Sequence, residues 1–390
     1  MERGVGAFKS RRYGSFIKRE LAATRAPEYV CGVLEGNPRI IQGPPEASHV
    51  AAGPTLRVFT HELHDNWDFE NFLTYVGGAT PVAMAKYASD NMHPDGSNKF
   101  PNVVYLMNDY SMFDCTYSHA LFMDVVYPIY SFFGMMETAA GRWGRPYCRL
   151  HKLLTSALRY WETPKGRLSR GIKYRACSMN SSGRDDTAAM NALVNGICIF
   201  FSVLSLYYRV PMTAIDTLTD DQVNYVTSRC HIAVLGDDSL VRLSEELLSG
   251  RTMEEYKADM SRAVGAWGIE AKPVMEREFR KVVFLGSRPY PCRKEGRDEV
   301  WWGPTIGRRL YKMTTSCDLQ ERPLEWLYSV VDATMRTCPH VPIIRETCNA
   351  ITKLLKERKV ALHEYKAENF ATAAEALRKG SPLEIKYFRI

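Results

Sequence analysis

Ile232-Ala233-Val234-Leu235-Gly236-Asp237-Asp238-Ser239-Leu240-Val241-Arg242-Leu243 sets two short apolar runs on either side of a Gly-Asp-Asp turn. Runs 232–235 and 239–243 with a glycine between them predict a β-hairpin with a tight acidic tip. A Gly-Asp dipeptide also closes ordinary hairpins, so by itself the turn need carry no chemistry. Two adjacent carboxylates against buried strands are nevertheless unfavourable unless a cation neutralises them. Oxygen ligands suit Mg²⁺, which takes one or two protein carboxylates and fills its shell from water and phosphates.

A second acid has the same setting. Val103-Val104-Tyr105-Leu106-Met107 predicts a short buried strand that ends in Asn108-Asp109. If the two strand ends are neighbours in one sheet, Asp109 and Asp237 are placed to hold two Mg²⁺ ions about 3.5–4 Å apart, the clamp for in-line phosphoryl displacement. Around these strands, residues 38–54 are dense in Pro and Gly and predict loops about a short strand at 39–42. Residues 66–76 predict a helix, as do 115–133, disturbed at Pro128. Ser178–Gly183 is a small-residue loop before a long helix from about Asp185. An amphipathic helix at 254–267, a loop carrying Lys272 before Pro273, a short strand at 282–285 and helices at 324–335 and 343–377 complete an α+β chain without internal repeats.

Length and composition are ordinary for a soluble globular protein: 390 residues, 45% apolar, 24% charged. That length accommodates two or three subdomains. The basic N-terminal segment, with Arg3, Lys9, Arg11 and Arg12, does not predict a secretory leader, and the ten cysteines form no C-x-x-C pair, so reduced thiols are expected. Residues 192–208 are almost free of charge, but at 17 residues, interrupted by Asn195 and Gly196, they predict a buried core helix rather than a membrane span. His61 and His64 do not have zincin spacing, and Cys338 with His340 is too sparse for a metal site.

The formal charge of +7 is unevenly spread. Residues 2–25 hold seven basic and two acidic residues, 141–175 ten basic residues against Glu162 alone, and 277–312 ten basic and four acidic. Aromatic residues stand among them, including Trp143, Tyr160, Trp161, Tyr174, Trp301 and Trp302. Each cluster could be a solvated face. Together they fit a polyanionic partner, with Lys and Arg neutralising phosphate and rings stacking on bases.

Three motifs in order carry a family resemblance. Asp109-Tyr110-Ser111-Met112-Phe113-Asp114 matches D-x-S-x-F-D, Ser182-Gly183-Arg184-Asp185-Asp186-Thr187-Ala188-Ala189-Met190-Asn191 matches S-G-x-x-x-T-x-x-x-N, and Gly236-Asp237-Asp238 follows. The chain resembles RNA-dependent RNA polymerases of positive-strand RNA viruses. Pro38-Arg39-Ile40-Ile41-Gln42 is similar to the fingers motif of the tombusvirus-like and nodavirus-like groups, together with Lys18-Arg19-Glu20. Gly268–Lys272 and Phe284–Ser287 resemble the fourth and fifth palm motifs. The resemblance covers about residues 18–290 and leaves the last hundred as a thumb by position.

It implies an α+β right-hand fold with an antiparallel palm sheet: partial fingers at 1–100, palm at 101–140, a basic fingers insertion at 141–175, palm again at 176–290, and a helical thumb at 291–390. It implies template-directed ribonucleotidyl transfer with Mg²⁺, or Mn²⁺ as a substitute, held by Asp109, Asp237 and Asp238. Asp114 and Asn191, helped by Ser182 or Thr187, would read the ribose 2′-hydroxyl. Lys18 and Arg39 would stabilise the triphosphate, and Lys272 would protonate the leaving pyrophosphate. Each assignment has a plainer alternative: Asp114 as a helix N-cap, Asn191 as an ordinary buried amide, Lys272 as a solvated surface charge.

The implied partners are an RNA template and product strand, ribonucleoside triphosphates, and other replicase or host membrane factors, in the host cytoplasm at membrane-associated replication complexes. Family members usually have a longer fingers region before the basic motif, so the chain reads as a fragment, a compact polymerase or one part of a larger replicase. No G-x-x-x-x-G-K-[ST] loop is present. A reverse transcriptase is the nearer rival, but a bulky aromatic is normal there at the position of Asp114. The more distant rival is a non-catalytic RNA-binding scaffold on a palm.

Overall fold

The computed structural model of the chain describes residues 12–17, 29–30, 33–34, 40–44, 46–139, 165–167, 173–176, 178–294, 296–315, 322–360 and 383–384. In chain order the strands are β1 (Arg12–Ile17), β2 (Tyr29–Val30), β3 (Val33–Leu34), β4 (Ile40–Gly43), β5 (Leu73–Tyr75), β6 (Val103–Tyr110), β7 (Lys165–Arg167), β8 (Lys173–Arg175), β9 (Cys230–Leu235), β10 (Asp238–Ser244), β11 (Ala271–Glu276), β12 (Ser287–Lys294), β13 (Arg297–Pro304) and β14 (Leu383–Glu384). The main helices are α1 (Glu46–Asn66), α2 (Pro81–Asn91), α3 (Tyr127–Ala139), α4 (Thr187–Tyr208), α5 (Asp220–Thr227), α6 (Met253–Gly265), α7 (Ile306–Thr314), α8 (Pro323–Thr337) and α9 (Pro342–Glu357).

Two compact units result, and the fold is α+β. The first comprises Met1–Lys18, Pro38–Gly77 and Leu106–Met275. Its centre is a mixed five-stranded sheet in the order β11-β6-β10-β9-β5. β9 and β10 are antiparallel with Asp238 opposite Leu235, and β5 runs parallel to β9 with Thr74 opposite Ala233. The sequence β6-α4-β9-β10-α6-β11 laid out in that order is a split βαβ arrangement: each helical crossover skips one strand, which the other half fills.

α4 is long and apolar enough to cross a membrane, yet between Ala189 and Leu204 it is buried except along the half-buried stripe of Ile197 and Phe201. It packs on β9, β5 and α6 as the core helix of this unit. Gly196 permits the close approach, since a Cβ there would lie 2.6 Å from a methyl of Leu73. A smaller sheet, β4-β1-β7-β8, also belongs to the first unit, with β1 antiparallel to β4 and parallel to β7. The second unit comprises Arg19–Asn37, Gly78–Tyr105 and Glu276–Ile390. In it the β12–β13 hairpin pairs along eight positions from Ser287↔Pro304 to Lys294↔Arg297, and α7, α8 and α9 enclose Met313, Val331, Ile344 and Cys348.

Several sequence expectations need correction. The proline-rich segment is not loop beyond Gly43–Pro44: α1 begins at Glu46 and runs through Pro54, because Leu56, Phe59 and Leu63 bury one face at helical spacing. The helix expected at 66–76 is instead the end of α1, a turn and β5, whose Leu73, Thr74 and Tyr75 are buried by pairing with β9. Residues 115–133 break into a 3₁₀ turn, a short helix at His119–Leu121 and a π-helical turn at Phe122–Val126 leading into α3. The π turn ends two residues before Pro128, where the missing N–H removes a regular helical bond. The strand expected at 282–285 is only an isolated bridge, Phe284↔Ser287, and the unforeseen strands are β12 and β13. A boundary at 290 therefore falls inside β12. Lys272 lies in strand β11 rather than a loop. Residues 361–377 lie outside the described residues.

Candidate active site

β6 alternates its side chains. Asn108 and Tyr110 are buried, whereas Asp109 between them is exposed on the opposite face. β10 lies beside β6 in the sheet, so Asp109 and the acidic hairpin tip are carried by neighbouring strands. The tip is a two-residue turn with Gly236 at φ +62° and Asp237 at negative φ, the pattern of a type II′ hairpin in which glycine takes the first central position. Asp237 and Asp238 are both exposed.

A buried amide joins these two elements. Asn195, fully buried on α4, accepts a hydrogen bond from the Tyr110 hydroxyl at 2.7 Å and donates through Nδ2 to the carbonyls of Asp237 (2.9 Å) and Gly236 (3.2 Å). Burial pushes the Tyr110 phenol far above its ordinary range, so it stays a neutral donor. Asn195 thus ties the residue after Asp109 to the turn that holds Asp237. In the sequence it looks like an interruption of an apolar run. The signal that could have found it is its spacing, four residues after Asn191 and so on the same helix face, together with the rule that a buried amide must be paired.

One turn earlier on α4, Asn191 donates from Nδ2 to the Asp114 carboxylate at 2.5 Å. Its Oδ1 accepts from the Tyr117 hydroxyl (2.8 Å) and from Asn180 Nδ2 (2.7 Å). Asp114 sits in the 3₁₀ turn Phe113–Cys115 and does not cap a helix; the side chain that caps the following helix is Ser118, accepting from the Leu121 amide. The two residues expected to read a ribose therefore meet, although 77 positions separate them. Burial, followed by the nearby Asp114 charge, raises the Tyr117 phenol well above its usual value.

The loop between them is held from two sides. Thr187 donates its hydroxyl to the Ser181 carbonyl at 2.7 Å, so its proton is committed to the loop, while Ser182 is partly buried. Arg184 and Asp186 form a fully buried ion pair, with Arg184 Nε 3.0 Å from Asp186 Oδ1, and Tyr130 donates to the same carboxylate. Gly183 donates its N–H to the Gln42 carbonyl at 3.0 Å, and a Cβ on it would lie 2.6 Å from that oxygen. Glycine is required here by backbone contact with β4, the strand of the Pro-Arg-Ile-Ile-Gln motif.

Lys272 is exposed on β11, which neighbours β6; the Ser111 amide donates to the Glu270 carbonyl at 3.1 Å, joining the ends of the two strands. Lys18 and Arg39 lie outside the described residues. They adjoin Ile17 and Ile40 in sequence, which are opposite one another in the β1–β4 pair. Most of the basic stretch 141–175 is likewise outside; Lys165, Arg167, Lys173 and Arg175 stand on β7 and β8, where the Tyr174 and Ser15 hydroxyls meet at 2.6 Å.

Among the described residues, no three His, Cys, Asp or Glu side chains converge closely enough to enclose a metal ion. The donors offered by Asp109, Asp237 and Asp238 are exposed carboxylates on adjacent strands, which suits a hard cation that keeps open positions for phosphate and water rather than one in a closed protein cage. No family model matches the chain, and no curated protein matches its sequence.

Proposed function

We propose that the chain is an RNA-dependent RNA polymerase with a right-hand fold, its palm being the split βαβ sheet. The observation that carries this reading is the meeting of three separated motifs around one helix: α4 bonds through Asn191 to Asp114 and through Asn195 to the Gly236-Asp237 turn and to Tyr110, next to Asp109. A merely structural sheet has no need for exposed acids on adjacent strand ends braced by buried amides.

Asp109 and Asp237 would hold Mg²⁺, with Asp238 alongside. Bound there, the cation supplies charge neutralisation for the triphosphate and for the attacking 3′-oxygen. Asp114 accepts, and Asn191 donates, where a ribose 2′-hydroxyl would sit, which favours ribonucleotides over deoxyribonucleotides. Lys272 would deliver a proton to the departing pyrophosphate, and Arg39 and Lys18 would pair with its phosphates. The substrates are an RNA template with its product strand and ribonucleoside triphosphates, and the setting is the host cytoplasm at membrane-associated replication complexes.

The test is nucleotide incorporation on a defined RNA template with Mg²⁺ or Mn²⁺, beside an Asp237→Ala control. Template-dependent product that disappears in the control supports the reading. That no acid cluster encloses a site among the described residues favours one alternative, an RNA-binding scaffold on the same sheet. A well-folded chain that binds RNA in a salt-sensitive way, yet never extends it in any metal, would identify the scaffold.

A further inference from the structure

Asn191 could present either its oxygen or its NH₂ toward Asp114, and the difference decides what a ligand meets. Two donors converge on Oδ1: the Tyr117 hydroxyl at 2.8 Å and Asn180 Nδ2 at 2.7 Å. Turning the amide over would set NH₂ against NH₂ at Asn180 and oxygen against carboxylate at Asp114, losing both bonds. Asn180 also donates its backbone N–H to the Asp114 carbonyl at 2.9 Å, so it holds both members of the pair at once. Tyr117 and Asn180 are themselves buried, at 1% and 0% exposure, and so lie out of reach of a bound nucleotide. Asn180 Oδ1 has no hydrogen-bond partner among the described residues. Burying half an amide unpaired is unfavourable, and a position serving only to fill space would not need it.

We propose that Tyr117 and Asn180 are positioning residues that lock the Asn191 amide with its donor face toward Asp114 and the ribose 2′-hydroxyl, and that discrimination between ribose and deoxyribose depends on them. The inference rests on the polymerase reading and names a control over its sugar selectivity. With the lock in place, Asn191 donates and Asp114 accepts in one fixed arrangement. Without it, only the Asp114 carboxylate opposes turning of the amide, so the share of molecules that place an acceptor beside that carboxylate rises.

Tyr117→Phe keeps the buried ring and removes one donor; Asn180→Ala removes the other, and Asn180→Ser keeps a small donor. Single-nucleotide incorporation is measured with a ribonucleoside triphosphate and its 2′-deoxy counterpart on the same RNA template. The expected result is a fall of about tenfold in the ratio of kcat/KM for the two sugars in Tyr117→Phe and in Asn180→Ala, with partial recovery in Asn180→Ser. The loss should appear in the ribonucleotide alone, with deoxyribonucleotide kcat/KM unchanged. Equal loss on both sugars, or an unchanged ratio in variants that melt like the parent, would overturn the lock while leaving the polymerase intact. Failure of the unsubstituted chain to incorporate either nucleotide would overturn the polymerase reading and the lock with it.

Discussion

On the polymerase reading, Asp109 and Asp237 would carry the chemistry and Asn195 the support. The two aspartate side chains are exposed, whereas the asparagine is fully buried and bonds to the Tyr110 hydroxyl and to the carbonyls of the Gly236-Asp237 turn. Asp109→Asn should therefore leave the melting temperature of the protein almost unmoved, within about 0.5 kcal/mol. The same substitution should lower metal-dependent nucleotide incorporation about a thousandfold. Asn195→Ala should do something different. It strands the Tyr110 hydroxyl and the turn carbonyls in the core, at roughly 1–3 kcal/mol, and a urea titration should show an earlier midpoint. The aspartates were legible because the motif spacing singles them out. Asn195 was not, because its partners lie 85 and 42 residues away and nothing local announces them.

The loop 178–186 and the strand β4 are not consecutive in the chain, yet each depends on the other. Gly183 touches the backbone of Gln42 and Gly43 so closely that even a methyl group has no room. Gly183→Ala should destabilise the first unit by about 1–3 kcal/mol through overpacking, seen as a lowered thermal midpoint. Stability should be regained less by enlarging space at Gln42, a side-chain change, than by reverting the glycine, since the obstacle is main chain. The helices show the same dependence on surroundings. α1 was obscured by Pro44, Pro45 and Pro54, which are turn signals locally, and only the buried stripe Leu56, Phe59, Leu63 outweighs them. β5 looked helical because three buried residues have no period of their own; pairing with β9 makes them a strand.

Acid should weaken both units. His231 in the first and His340 in the second are buried, and desolvation brings each down from 6.5 to about 4; the charge of Arg242 adds to the effect at His231, whereas a hydrogen bond to the Trp302 carbonyl opposes it at His340. Because the folded imidazoles resist protonation, the unfolded chain binds more protons between pH 6.5 and 4. Stability is then complete above about 6.5 and is lost as the pH falls through that window, by roughly 2 kcal/mol for each histidine at pH 5. Denaturant titrations at pH 7 and pH 5 should show this difference, and His340→Gln should make the second unit's share of the slope disappear. On the polymerase reading the basic clusters bind RNA, and a filter-binding titration should then show affinity falling by orders of magnitude between about 50 and 200 mM salt.

Local sequence was sufficient for the β9–β10 hairpin, the apolar β6 and the core helix α4, because each is written in contiguous residues: an apolar run, a glycine at a left-handed turn, a charge-free stretch of helical length. It was also sufficient to single out Asp109, Asp114, Asn191 and Asp237 through motif spacing. The order β11-β6-β10-β9-β5, the partition into two units, the strand around Lys272 and the β12–β13 hairpin came from contacts between distant segments. So did the direction in which Asn191 faces. An amide reads the same in sequence whichever way it turns, and it is the Asp114 carboxylate, which can only accept, together with Tyr117 and Asn180 folded onto the amide oxygen, that makes one orientation lower in energy than the other.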